Sequence, residues 1–318
     1  MRIAFVGKGG SGKTTLCALF TLFLEQKKMK NIYVVDADLN KNLATQLGLD
    51  TNNVAKLGEP ENQKSIRLWL MGNRTDVPQN DLKYFKKTTP PRFGSNVIRI
   101  SEIGSISILS KYFVGNTFKL AEIGEYDKSL VAKNCYHGSL SILENILSHL
   151  DDRQGWFIAD MVAGTDTFVG ALFAQFDFIF IVAEPTRNSR EVVNQFEKLA
   201  LATDTINIFK VIANKIENQS DVDYIQSFSK NFELVCRFEK SKYIKEAEKT
   251  DSKFEINKLE KNNLEEFEKL LSYLSKKAID PNYRLSLLRK WHHKVAMDHT
   301  GEDRKILLNQ ITNDKVFG

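Results

Sequence analysis

Residues 7–15 read Gly7-Lys8-Gly9-Gly10-Ser11-Gly12-Lys13-Thr14-Thr15, straight after the mostly apolar run Arg2-Ile3-Ala4-Phe5-Val6. The stretch fits the phosphate-binding pattern G-x-x-x-x-G-K-[ST]. A glycine-rich turn between a strand and a helix lets successive backbone N–H groups point at phosphate oxygens. The helix N-terminus adds a favourable dipole. Gly9, Gly10, Ser11 and Gly12 would form that cradle, with Thr15 closing it. Lys13 can reach the β- and γ-phosphates of a nucleotide, and the Thr14 hydroxyl can sit on Mg²⁺. The same residues contain Gly7-x-Gly9-x-x-Gly12, a dinucleotide fingerprint, with Asp36 close to the place of a ribose-binding acid. Lys13 and Thr14 decide between the two. A dinucleotide site needs no lysine and hydroxyl after its last glycine, whereas a triphosphate with Mg²⁺ needs both.

Three further groups can converge on the same phosphates. Val34-Val35-Asp36-Ala37-Asp38 closes the second apolar run. Carboxylates at i and i+2 can divide two tasks, one holding a Mg²⁺-bound water and the other orienting the attacking water. The competing reading is a solvated turn or a cap for a helix near 41–47. Ile158-Ala159-Asp160 ends another apolar run, so Thr14, Asp36 and Asp160 form the expected Mg²⁺ set. Gly164 would let a backbone N–H approach the γ-phosphate, making its segment responsive to hydrolysis. Asn214 offers paired donor and acceptor groups to an adenine edge. Lys215 could lie along the base, with Glu184-Pro185 at its border.

These residues must share one rim, which requires a particular fold. Strands are expected at 2–6, 32–35, 97–100, 106–109, 156–159, 178–183, 208–213 and 234–236. Helical patterns fall between them at about 13–28, 140–150, 188–203 and 221–232. Such alternation predicts an α/β, three-layer P-loop fold with a mostly parallel sheet of seven or eight strands. Ligands in such sheets bind at the carboxyl ends of the strands. Residues 51–95 carry Pro78, Pro90 and Pro91 and read as an irregular or partly helical insertion. Residues 110–134 are weakly patterned, and 264–277 have amphipathic helical spacing. The expected organisation is an ATPase domain over 1–277 and a helical extension over 278–318.

The 318 residues are 42% hydrophobic and 27% charged, with a net charge of +5. That charge does not by itself indicate nucleic acid, although a local basic patch stays open. No apolar run approaches the ~20 residues of a membrane span, so an integral membrane protein is not expected. Three widely spaced cysteines form no disulfide framework, which fits a reducing cytoplasm. The chain starts directly on a strand, so no signal peptide is expected. Cys17 reads as a core residue and Cys236 as a strand residue. His292, His293 and His299 have no metal-ligand spacing. Trp291 and the leucines at 285, 287 and 288 would dock the extension on the body or on a partner.

Residues 8–15 match K-G-G-x-G-K-[ST]-[ST] throughout. With the two aspartates and Asp160-Met161-Val162-Ala163-Gly164, the chain resembles the MinD/ParA group of deviant-Walker ATPases over about residues 1–275. The resemblance implies a slow, switch-type, Mg²⁺-dependent ATP hydrolase that forms a homodimer in its ATP state. It assigns the catalytic set Lys8, Lys13 and Asp38. Lys8 would reach phosphates of the nucleotide in the partner chain, and Asp38 would orient the hydrolytic water. Within that group the chain is similar to the CooC-like nickel-insertion ATPases that mature carbon monoxide dehydrogenase. Asp36-Ala37-Asp38-Leu39-Asn40-Lys41-Asn42-Leu43 is similar to DADP-x-x-NL, with Leu39 in place of proline. Asp160-Met161-Val162-Ala163-Gly164 is similar to DMEAG.

Asn134-Cys135-Tyr136-His137 lies where that family has a C-x-C pair. Two chains would therefore offer two thiolates and two imidazoles, a set that suits Zn²⁺ and admits Ni²⁺. The other reading is a Cys135 and a His137 at a helix start that bind nothing. The resemblance implies a client metalloenzyme whose maturation or metal loading is driven by the ATP cycle. The alternative is a partition or positioning ATPase whose ATP dimer binds DNA or membrane. A non-hydrolysing interaction module is a third reading, and Lys8 and Asp38 argue against it.

Overall fold

The structure, a computed structural model, describes residues 1–38, 42–78, 81–105, 107–124, 136–165, 168, 170–277, 280–314 and 316–317. Its first half runs β1 (Arg2–Gly7), α1 (Lys13–Gln26), β2 (Ile32–Ala37), α2 (Asn42–Leu47), α3 (Pro60–Met71), β3 (Ile98–Arg99), α4 (Ser107–Ser110), β4 (Phe118–Glu122) and α5 (Tyr136–Ser148). It continues with β5 (Leu150–Asp151), β6 (Trp156–Met161), β7 (Phe178–Ala183), α6 (Arg187–Thr203), β8 (Phe209–Ile216), α7 (Gln219–Phe228), β9 (Glu233–Glu239), α8 (Lys242–Lys249), α9 (Lys261–Ser275), α10 (Pro281–Met297) and α11 (Gly301–Asn309).

Seven strands form one sheet in the order β4-β2-β6-β1-β7-β8-β9, and every pairing in it is parallel. The central strands are buried from end to end, because helices cover both faces. Alternate residues divide between the two faces. Ile3 and Phe5 of β1 pack with Leu16, Phe20 and Phe23 of α1 and with Phe267 and Leu270 of α9. Ala4 and Val6 face the other layer, built from Ile66 of α3, Leu143 of α5, Phe196 of α6 and Ile225 of α7.

Two local expectations are corrected. Residues 107–109 of the expected strand 106–109 lie in the short helix α4, and the edge strand is β4, in the segment that looked weakly patterned. A four-residue apolar run cannot distinguish strand from helix by periodicity. β4 carries Lys119 and Glu122 because it lies at the edge of the sheet. The expected strand 97–100 contains β3, which pairs with β5 in a separate two-stranded sheet.

Both edges of the large sheet are covered. Beside β4, Leu120 N and O pair with Val114, and Glu122 O accepts from Leu57 N at 3.0 Å. Beside β9, two side chains of α9 take the place of a strand. Arg237 N donates to Glu266 Oε2 at 3.0 Å and Glu239 N to Asn263 Oδ1 at 2.8 Å, while Asn263 Nδ2 donates to Glu239 O at 3.1 Å.

The C-terminal helices dock on the end of the sheet opposite the strand carboxyl ends. Arg284 of α10 is buried and ion-paired to both Asp152 and Asp177. Asp152 also binds Arg2 at 3.1 Å, and Asp177 accepts from Arg2 N at 2.8 Å. Trp291 meets Phe173 edge to face, and Leu285 and Leu288 are buried, as expected of a docked extension. The segment 81–97 wraps the same helices. Thr88 Oγ1 bonds His292 Nδ1 at 2.9 Å, Thr89 Oγ1 donates to Gln310 Oε1 at 3.0 Å, and Arg92 donates to Asn309 O at 2.9 Å.

Candidate functional site

The glycine-rich loop lies between β1 and α1, at the carboxyl rim of the sheet. Gly7 has φ 149°, and a Cβ there would sit 2.6 Å from Val182 O. Gly10 and Gly12 take φ values of 82° and 92°, a region that favours glycine. Ser11 N donates to Lys8 O at 3.1 Å and closes the turn. Gly12 is the N-cap of α1 and supplies no side-chain cap. The first-turn amides of α1 therefore face the loop as unsatisfied donors, which with the dipole make an anion site. Ser11 Oγ is buried without a hydrogen-bond partner.

Four carboxylates and two ammonium groups cluster beside the loop. Strand register sets Asp36 directly between Glu122 and Asp160. Lys13, buried, is ion-paired to Asp38. Thr14 Oγ1 donates to Asp160 Oδ2 at 2.6 Å, and Asp38 N donates to Asp36 Oδ1 at 3.0 Å. Lys56 binds Glu122 Oε2 at 2.5 Å. Lys13 and Lys56 are taken by Asp38 and Glu122, and among the described residues neither Asp36 nor Asp160 has an ion-pair partner. The cost falls on Asp36 and Asp160. Burial first, and Asp160 next, hold the Asp36 carboxyl well above the usual carboxylate range. Burial pushes Asp160 up to about 7, although Lys13 and the Thr14 hydroxyl pull it down.

One oxygen on each of these two acids, Asp36 Oδ2 and Asp160 Oδ1, is buried without a hydrogen-bond partner. Two orphaned, buried carboxylate oxygens side by side fit a cation. Among the described residues no group of three or more His, Cys, Asp or Glu side chains could hold a metal ion alone. Mg²⁺ does not require one, because it keeps several waters and takes its remaining ligands from phosphate and one or two protein oxygens. Thr14, Asp36 and Asp160 are the residues that could hold it.

Asn214 and Lys215 were expected beside the base, and both brace the loop. Asn214 Nδ2 donates to Ser11 O at 2.8 Å. Lys215 Nζ donates to Gly10 O at 2.6 Å and binds Glu184 Oε1 at 2.6 Å. Lys215 holds φ 59°, a strained conformation for a residue with a Cβ. Two consecutive loop carbonyls are thus held outward. Because C=O and N–H of one peptide unit point oppositely, the Gly12 N–H is turned inward. Gly164 N donates to Gly7 O at 3.0 Å, so its segment lies against the same loop. Thr15 Oγ1 donates to Glu248 Oε1 of α8 at 3.0 Å. Glu248 was not anticipated, since nothing local marks one acid in a charged helix as a partner of the loop. Glu122 was also missed, and only its register with Asp36 identifies it.

Lys8 is half-exposed, and among the described residues its side chain has no hydrogen-bond or ion-pair partner. Gly9 lies exposed on the loop. Cys135 and the side chain of His137 lie outside the described residues. Cys17 and Cys236 are buried, as expected. His292 is a buried packing residue, its Nε2 within 3.2 Å of Leu307 O.

The profile of the family described as "CobQ/CobB/MinD/ParA nucleotide binding domain" matches residues 3–247. The carbon monoxide dehydrogenase accessory protein CooC of Rhodospirillum rubrum is 26% identical over 237 residues, 74% of this chain and 82% of CooC. An uncharacterized ATP-binding protein of Methanocaldococcus jannaschii is 26% identical over 221 residues, 69% of this chain and 76% of that protein. Among solved structures, the MinC:MinD cell division complex of Aquifex aeolicus superposes with a TM-score of 0.56 at 17% identity, covering 88% of this chain and 97% of that one. A ParA-family ATPase of Chlorobium tepidum gives 0.53 at 16%, covering 90% and 96%. The last two likenesses concern the fold.

Proposed function

The chain belongs to the CobQ/CobB/MinD/ParA nucleotide-binding family, and from that premise we propose that it is a Mg²⁺-dependent ATPase. It works as a nucleotide-switched homodimer that drives maturation or metal loading of a client metalloenzyme. The observation that carries the ATPase reading is the convergence of Lys13, Thr14, Asp38 and Asp160 on the uncapped head of α1.

Lys13 is bound to Asp38. A triphosphate would draw on Lys13, and Asp38 would orient a water and accept its proton. Thr14, Asp36 and Asp160 would hold Mg²⁺, which when bound would supply positive charge against the phosphate oxygens. The inward-turned amides of the loop stabilise charge that develops in the transition state. Lys8 completes the site from the partner chain. The maturation role is supported by the likeness to CooC over 237 residues and by the stretches at 36–43 and 160–164. The pair Cys135 and His137 would add Zn²⁺ or Ni²⁺ at the interface between two chains.

The ATPase reading is tested with purified protein, by ATP hydrolysis with and without Mg²⁺ and by light scattering with a non-hydrolysable analogue. Turnover only with Mg²⁺ and a doubled mass with the analogue are expected. Hydrolysis that ignores Mg²⁺ would sink the ATPase reading, and a mass that never changes would sink the homodimer. Metal analysis of the analogue-bound protein addresses the client role, and zinc or nickel that survives Cys135→Ser removes Cys135 as a ligand. The MinD and ParA folds keep a second reading in play, a positioning or partition ATPase. Analogue-dependent co-sedimentation with plasmid DNA or anionic vesicles would favour it.

A further inference from the structure

Glu248 of α8 meets the phosphate site from a distant part of the chain, and the chemistry described above gives it no task. Its Oε1 accepts from Thr15 Oγ1 at 3.0 Å, across 233 positions of sequence. Thr15 lies in the first turn of α1 and is buried, whereas Glu248 is exposed. Among the described residues Glu248 has no ion-pair partner, and its neighbour Lys249 is taken by Glu246 at 3.0 Å. The first turn of α1 holds no acid of its own and has no side-chain cap. Its free N–H groups and the helix dipole stabilise negative charge there. Glu248 brings a carboxylate to the same helix end on which nucleotide phosphates would draw.

The contact is built so that it can be given up. Of the eight residues of α8, Ala247 alone is buried. The first turn of the helix is held by other means. Lys242 N and Tyr243 N donate to Glu260 Oε1 at 2.9 and 3.3 Å, and Ile244 N donates to Ser241 Oγ at 3.0 Å. The last turn carries Ala247 and Glu248, and the Thr15 hydroxyl ties it to α1. A short helix with one buried side chain opens at low cost. Beyond it, Phe254 N donates to Gln46 O of α2 at 2.8 Å. This stretch of chain therefore touches both α1, which begins at Lys13, and α2, which follows Asp38.

We propose that Glu248 competes with the nucleotide for the head of α1, so that it sets nucleotide affinity and α8 lets go of Thr15 when a phosphate arrives. The inference rests on the phosphate-site reading above. Glu248 is a positioning residue, acting through Thr15. Its negative charge repels a polyphosphate bound beside it. A charged acceptor also holds the Thr15 hydroxyl about twice as strongly as a neutral one. Both effects oppose nucleotide binding. Glu248→Gln removes both while keeping the volume and an acceptor, and Glu248→Ala removes the contact altogether.

Titration of a fluorescent, non-hydrolysable ATP analogue with Mg²⁺ into the unaltered protein and both variants tests the competition. Expected at low salt is a Kd lower by roughly fivefold in Glu248→Gln and in Glu248→Ala. In about 0.5 M salt the gap between Glu248→Gln and the unaltered protein should narrow, because exposed charges are then screened. Hydrogen exchange gives a second readout. Analogue binding should speed exchange of the α8 amides in the unaltered protein by roughly threefold or more, and Glu248→Ala should show the faster rates without analogue. An acid that merely supported the loop would give the opposite sign, weaker binding in both variants, and that result overturns the proposal. Equal Kd values, or α8 amides that slow or stay unchanged on binding, overturn it too. An unaltered protein that fails to bind the analogue at all overturns the phosphate-site reading and the competition with it.

Discussion

Gly12 has no room for a side chain. A Cβ there would collide with Asn214 Nδ2, and φ is 92°. Gly12→Ala should therefore displace Asn214, release the Ser11 carbonyl and weaken nucleotide binding, by roughly tenfold or more in the Kd of a fluorescent ATP analogue. The Lys13–Asp38 pair makes a second prediction. Lys13→Ala should abolish measurable binding or turnover. Asp38→Ala should leave binding intact while cutting hydrolysis by roughly 10²–10⁴-fold, read by single-turnover assays. Unchanged hydrolysis in Asp38→Ala would remove it from water activation. Lys13, Thr14 and the aspartates were legible in the sequence because loop chemistry requires those residue types at fixed offsets. Glu122 and Glu248 were not, since each meets its partner only through strand register or helix packing across long stretches of chain.

Among the elements, α10 is held by buried polar contacts. Arg284 is 4% exposed between Asp152 and Asp177. Arg284→Ala would leave Asp152 and Asp177 short of a counter-charge, and should cost about 3–5 kcal/mol in urea unfolding. His292 predicts a pH effect. Burial lowers it to about 4, so it is neutral in the folded protein and protonates near 6.5 in the unfolded chain. Its share of stability is complete above pH 6.5 and is lost as the pH falls toward 4. Between pH 7 and 5 the melting temperature of His292→Gln should fall less than that of the unaltered protein; equal falls would contradict the assignment. The long buried strands were legible because both faces are covered and the apolar runs are continuous. β4 was not, because an edge strand keeps polar residues, and the docking of 81–97 on α10 and α11 is made by polar pairs with no period.

For the whole molecule, the partner chain is the central expectation. Lys8 has no partner among the described residues of its own chain. Lys8→Ala should lower turnover by roughly 10³-fold, as loss of a cation supplied in trans does, and should weaken analogue-dependent dimerisation seen by light scattering. A variant that dimerises and turns over normally would exclude the cross-chain role. The closed sheet edges bear on how such a contact can form. With Val114 and Leu57 against β4 and with Asn263 and Glu266 against β9, no free backbone ladder is offered to a second molecule at these positions. Ladder pairing is largely indifferent to sequence and can propagate without limit. If two copies of this chain do pair, side chains and not a backbone ladder at these positions would make the contact. A pairing of that kind could be undone by a change at one bond, as reversal on hydrolysis of one phosphate would require.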